Sequence, residues 1–150
     1  MPLESSCEGY LISDDPARLD VAAIHAYLTR SYWSAGVPRE VIERAVRHSL
    51  CVGCYTAAGE QVGLVRVVTD RATFAWICDV FVLEAHRGRG LSKAMMRAVM
   101  SHPDLRAVRR LTLATRDAHG LYAQFGFVPV AKPGSQMERR QPQPWQQPAP

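Results

Sequence analysis

Residues His86 to Met95 read HRGRGLSKAM, two glycines set among three fixed cations, directly after the apolar run ATFAWICDVFVL. Glycine admits a left-handed turn and lets a ligand approach the main chain closely. Consecutive free amides at a helix start form a concave set of donors, and the helix dipole adds positive potential there. With the charges of Arg87, Arg89 and Lys93, the run Arg87, Gly88, Arg89, Gly90, Leu91, Ser92 and Lys93 describes a cradle for a pyrophosphate. Taken alone, the same residues also suit a solvated strand-to-helix loop, because short glycine motifs carry little information. Two other phosphate loops are excluded. No G-K-[ST] follows at the spacing of a Walker loop, and the dinucleotide fingerprint needs a parallel βαβ unit with an acidic residue further on. RNA-binding RG segments are repetitive and disordered, whereas this one occurs once between ordered elements.

In its wider context, DVFVLEAHRGRGLSKAMMRAVM resembles the acetyl-CoA-binding motif of the GCN5-related N-acetyltransferases (GNAT). That family carries [QR]-x-x-G-x-[GA] between its fourth strand and third helix. Arg87, Gly90 and Ser92 occupy the defined positions, and Ser92 departs from the usual glycine or alanine. Further on, TRDAHGLYAQFGF resembles the family's second landmark, with Ala118, Leu121, Tyr122, Gly126 and Phe127 matching in order. Thr115 stands where that landmark often has asparagine.

The resemblance implies an α+β fold with a mixed, mostly antiparallel central sheet flanked by about four helices. It also implies that the fourth and fifth strands, here FAWICDVFVL and RRLTLATR, splay apart to admit the pantetheine arm. The backbone of Phe81 and Val82 would pair with that arm as with an added strand, and a nearby N–H would polarise the thioester carbonyl. Tyr122 matches the family's general acid; a phenol of pKa about 10 can protonate a thiolate whose parent thiol has pKa about 8.5. Asp79, two residues before Phe81, is the candidate for drawing a proton from the amine, and a strand-end carboxylate bonded to backbone is the competing account. Tyr32 and Trp33 fall where the family's acceptor cleft lies, though aromatics there also serve to pack a helix on the sheet.

The implied activity is transfer of an acetyl group from acetyl-CoA to a primary amine, on a small molecule or a peptide, directly within a ternary complex and without a metal. A non-catalytic acetyl-CoA-binding sensor or assembly module is the alternative. Nucleic-acid binding through the basic loop and Arg106, Arg109 and Arg110 ranks last, because no aromatic residues interleave with those cations.

Hydrophobic period supplies the elements that must hold these residues. YLISDD reads as a strand, Val21, Ile24, His25 and Leu28 as a helix, and Pro38 opens a second helix through Val41, Ile42, Ala45 and Val46. LCVGCYTA, QVGLVRVVTD and ATFAWICDVFVL follow with links so short that they must form an antiparallel meander. Leu91, Met95, Ala98 and Val99 mark a helix, RRLTLATR a strand, DAHGLYAQFG a short helix with Asp117 as its N-cap, and FVPVA a last strand. The order is β-α-α-β-β-β-α-β-α-β. Residues 1–140 read as one domain, and QPQPWQQPAP, residues 141–150, as a disordered tail without apolar period.

A chain of 150 residues, 47% apolar, is long enough for one domain with a real core. Without a long apolar run the expectation is a cytoplasmic protein with no membrane segment. The net charge of +4 leans toward an anionic ligand. Cys51 and Cys54 form a C-x-x-C inside a strand-like segment, where positions three apart face opposite ways; they read as buried free thiols rather than zinc ligands. A homodimer stays open.

Overall fold

The computed structural model describes residues 1–146. Its elements are β1 (Glu4–Cys7), β2 (Tyr10–Ser13), α1 (Val21–Leu28), α2 (Arg39–Arg47), β3 (Leu50–Tyr55), β4 (Gln61–Thr69), β5 (Phe74–Val82), α3 (Leu91–Met100), β6 (Arg110–Leu113) and α4 (His119–Ala123). The strands form one sheet in sequence order. Every neighbouring pair is antiparallel except β5 and β6, which run parallel because α3 makes the crossover between them.

The meander of β3, β4 and β5 is as the sequence predicts, and two ends of the chain differ. An extra strand, β1, hairpins onto β2 through Glu8 and Gly9, both with positive φ, the conformation that tight two-residue hairpin turns require. Its sequence, ESSC, is polar and has no apolar alternation, so only the Glu-Gly pair marks it. No strand follows β6 among the described residues. The FVPVA segment contains Pro129, which has no N–H for a ladder, and leaves Val128 and Val130 exposed. At the other end, Trp145 of the segment expected to be a tail is half-buried against the α1–α2 side of the sheet. Residues 147–150 of that tail lie outside the described residues.

The sheet has a core on each face. Leu91, Met95, Met96 and Val99 of α3 cover one face, and Ile24 and Leu28 of α1 with Ile42 and Val46 of α2 cover the other. Cys51 belongs to the α1–α2 core and Cys54 to the α3 core, so the two thiols do point to opposite sides. Both are free, and burial pushes each up to about 12.

Two irregularities on β5 shape everything that follows. Leu64 of β4 is opposite Phe81, but Arg66 is opposite Cys78, so two residues of β5, Asp79 and Val80, face one of β4. This is a β-bulge, and Asp79 sits in it with φ of 49°, a left-handed conformation uncommon outside glycine. The inward parity shifts accordingly: Ala75 and Ile77 face the α3 core before the bulge, Val80 and Val82 after it. The second irregularity is that β6 pairs only with Phe74 to Ile77. From Cys78 to Val82 the edge of β5 on that side has no strand beside it among the described residues.

Candidate active site

A cleft of about 1250 Å³ opens along this unpaired edge. One end is the glycine loop. Gly88 and Gly90 have φ of 77° and 74°, and Gly90 is the N-cap of α3. A Cβ at either glycine would meet nothing within 4 Å, so open space lies above the backbone there. Leu91, Ser92 and Lys93 open α3 and line the cleft with Arg87, Gly88 and Gly90, while Arg89 does not. Arg89 instead offers its carbonyl to the thiol of Cys7, and Tyr10 Oη lies 2.7 Å from Nδ1 of His86. The first hairpin thus braces the loop from behind.

Arg87 folds back across the cleft. Its Nε donates to the carbonyl of Val82 at 2.9 Å, and Nη2 donates to the hydroxyl of Tyr27 at 3.0 Å. The Val82 carbonyl therefore faces the unpaired side, whereas the next amide, that of Leu83, donates to Val62 beside β4. Phe81 turns its ring the other way, into the α1–α2 core, where Tyr27 stacks on it at 4.1 Å between ring centres. Arg30 locks α1 to the same region by a two-pronged pair with Glu84 at 2.7 and 3.0 Å. That pair holds the Glu84 carboxyl down at about 2.

Asp79 lies mid-cleft and is 7% exposed. Its two oxygens accept from Arg66 Nε at 2.7 Å and from the Trp33 indole N–H at 2.8 Å. Arg66 in turn donates to Ser49. A carboxylate has about four lone-pair directions, so two of them stay available after these bonds. Trp33 meets Tyr32 edge to face at 5.1 Å, and both rings line the cleft.

Opposite, α4 brings in Tyr122. Its ring packs in the α3 core, edge to face with Phe127, and its residue lines the cleft. Burial raises the phenol above its ordinary pKa, and the nearby Tyr32 and Asp117 add to the rise. Asp117 does not cap α4; the Thr115 hydroxyl accepts the Ala118 N–H at 3.0 Å instead. Tyr122, Asp79, Tyr32, Trp33, Phe81, Val82 and the glycine loop, all singled out from sequence, thus border one space. The sequence reading missed three contributors. Arg66 pairs with Asp79 across strands, Trp76 lines the far end, and Arg116 stacks on Tyr32 at 3.8 Å from the ring centre. Of these, only Arg116 lay within a motif that had been singled out.

The profile of the Acetyltransferase (GNAT) domain matches residues 46–129, more than half of the chain and the whole of this cleft's β5–α3 and β6–α4 segments. The chain belongs to the GNAT family.

A crystal structure of a GNAT-family acetyltransferase from Xanthomonas campestris pv. campestris, so named by assignment, is 48% identical, with a TM-score of 0.89 over 95% of this chain and 100% of that one. FG08082 of Gibberella zeae, also assigned as an acetyltransferase, is 36% identical over 69% of this chain and 71% of its own length. Serotonin N-acetyltransferase 2 of rice, a chloroplastic protein, is 28% identical over 83% of this GNAT chain and 64% of its own. As a GNAT member the protein is an acyl-CoA-dependent acetyltransferase. Among the described residues, no helix is long and apolar enough to cross a membrane.

Proposed function

We propose that this acetyltransferase moves the acetyl group of acetyl-CoA to a primary amine by direct transfer. The observation that supports this best is the bulged, unpaired edge of β5, with the glycine loop at one end and both Asp79 and Tyr122 lining the same cleft. An extended pantetheine arm fits beside residues 78–82 as a strand would, with its pyrophosphate over the open backbone of Gly88 and Gly90. Arg87, Ser92 and Lys93 add charge and a hydroxyl at that end.

In the reaction the neutral amine nitrogen bonds to the thioester carbonyl carbon, the carbon–sulfur bond breaks, and the sulfur leaves with the electron pair. A main-chain N–H at the bulge stabilises the charge that develops on the carbonyl oxygen. Tyr122 gives its hydroxyl proton to the departing sulfur; its raised pKa keeps that proton in place until then. Asp79 takes up the amine's proton through water on its free lone pairs, held in position by Arg66 and Trp33. A covalent route through Cys78 is disfavoured, because burial pushes that thiol up to about 12 and removes the thiolate it would need.

The acceptor side is aromatic: Tyr32, Trp33 and Trp76 all border the cleft. The rice relative's named substrate, an indole amine, is of a kind that such a wall accommodates. The test is release of free thiol from acetyl-CoA across arylalkylamines, amino acids, polyamines, aminoglycosides and peptides. Amine-dependent release supports the proposal; acetyl-CoA binding with no amine-dependent release from any class overturns it in favour of a binding module.

A further inference from the structure

Arg116 lies on the loop between β6 and α4, where no role has yet been given to it. Its guanidinium covers the ring of Tyr32 at 3.8 Å from the centre. Stacking of this kind occupies a face of the guanidinium and leaves its in-plane N–H fork free. The other arginines bordering the cleft are engaged: Arg30 with Glu84, Arg87 with Val82 and Tyr27, Arg140 with Glu138. Among the described residues, no carboxylate pairs with Arg116. It is an exposed cation stacked on a ring that is itself 55% exposed, and its hydrogen-bonding edge has no protein partner among the described residues.

Its place in the cleft says what that edge is for. Tyr32 touches Trp33, and Trp33 holds Asp79 through its indole N–H. Tyr32 is also near enough to influence the Tyr122 phenol. Arg116 therefore belongs with the residues of the reacting end and is separate from the pyrophosphate cradle. Beside it, Trp33 and Trp76 each leave 37% of their surface open. The cleft thus presents flat apolar walls, a proton-accepting carboxylate and one free planar fork. Such forks match the two oxygens of a carboxylate with parallel N–H···O bonds.

We infer that the preferred acceptor is an aromatic amine that carries its own carboxylate, as a free aromatic α-amino acid does, and that Arg116 binds that carboxylate. This rests on the N-acetyltransferase reading above. It separates free amino acids from peptide N-termini, which have the same amine and ring but an amide in place of the carboxylate.

The experiment compares tryptophan, tryptophan amide and tryptamine as acceptors, with rates referred to the concentration of neutral amine. Wild type should show kcat/KM for tryptophan at least about tenfold above either analogue, the scale of one lost charge-assisted hydrogen bond. Arg116→Gln should bring that ratio to within about twofold of unity, and Arg116→Lys should fall between, since a point charge lacks the fork. Melting temperature checks that each variant is folded. A ratio near or below unity in wild type overturns the inference. So does an Arg116→Gln enzyme that keeps the ratio, or one that loses all acceptors equally while KM for acetyl-CoA rises, which would assign Arg116 to the donor. If no amine is acetylated, the enzymatic reading fails separately. Calorimetric binding of tryptophan and tryptamine to the CoA-loaded protein then decides: a tryptophan preference that Arg116→Gln abolishes upholds carboxylate recognition, and equal binding ends it.

Discussion

In the function proposed above, the two ends of the cleft recognise by different means. At the α3 end the working groups are main-chain amides, and side chains matter mostly by being absent, as at Gly88 and Gly90. Backbone recognition needs particular residues at consecutive positions, and it leaves a local motif. At the other end the groups proposed to act are side chains from four separate places that line the cleft: Tyr32 and Trp33 after α1, Asp79 on β5, Arg116 before α4, and Tyr122 within it. No spacing rule joins them, because the fold and not the local chain brings them together. One end is therefore specified by a short sequence and the other by architecture, and substitutions should behave differently at each.

The largest effect should come from Asp79→Asn, because the residue proposed to accept the amine's proton also holds a buried ion pair. The change leaves Arg66, whose side chain is 17% exposed, without its charged partner. Breaking one half of a buried pair costs about 3 kcal/mol or more, readable by urea denaturation. Adding Arg66→Gln should recover much of that stability, while amine acetylation stays low, most of all on the acid side of the pH–rate profile. Recovery of rate together with stability would make Asp79 a structural residue only.

Tyr122→Phe keeps the ring in the core and removes only the hydroxyl. We expect kcat to fall about 10²-fold, within the ~10²–10⁴-fold range of general acids, with little change in KM for acetyl-CoA and in melting temperature. The sign of its pH dependence follows from the raised phenol. The proton-donating form survives to higher pH than a free tyrosine's, so the loss of rate from its ionisation lies above about pH 10. A wild-type single-turnover rate in Tyr122→Phe would remove the acid role.

At the backbone end, Gly90→Val should act through affinity. A Cβ there meets no protein atom within 4 Å, but φ of 74° strains any β-branched residue and the added methyls would enter the space proposed for a phosphate. Affinity for CoA should fall at least about tenfold, or 1.4 kcal/mol. Gly90→Ala serves as the milder control. Unchanged affinity in a folded Gly90→Val protein would show that the loop only connects β5 to α3.

The smallest effect should come from ending the chain at Arg140. That removes the half-buried Trp145 from the α1–α2 face, a loss of about 1 kcal/mol or less, which for a chain this size moves Tm by about 2–4 °C. Turnover with acetyl-CoA should be unchanged. No change in Tm would restore the expectation of a tail that does not dock.

Most of the fold was legible because its elements are long and periodic. The meander, α3 and the two landmark segments follow from apolar alternation and from glycines where φ must be positive. The β1–β2 hairpin was not, since ESSC carries no pattern and gains its place by pairing alone. FVPVA misled because a β-branched run outweighed the proline at its centre. Within the site, the cradle could be read from the chain and the Asp79 environment could not. Arg66 is one of several arginines on strands and loops, and only the extra residue on β5 opposite Val65 turns Asp79 toward it. The bulge itself has no residue signature: the sequence carries aspartate, not glycine, at its left-handed position.

The unpaired stretch of β5 is a sheet edge left bare where the short β6 ends, the kind of exposed main chain by which β-proteins polymerise. Here it is only Cys78 to Val82, interrupted by the bulge and capped on the Val82 carbonyl by Arg87. A straight foreign strand finds too little ladder and an occupied acceptor, whereas the thin arm proposed to bind there needs only one or two amides. The protein can thus keep an open strand edge without offering it to other copies of itself. Light scattering from a concentrated Arg87→Ala protein, with that carbonyl bared, reads this protection directly.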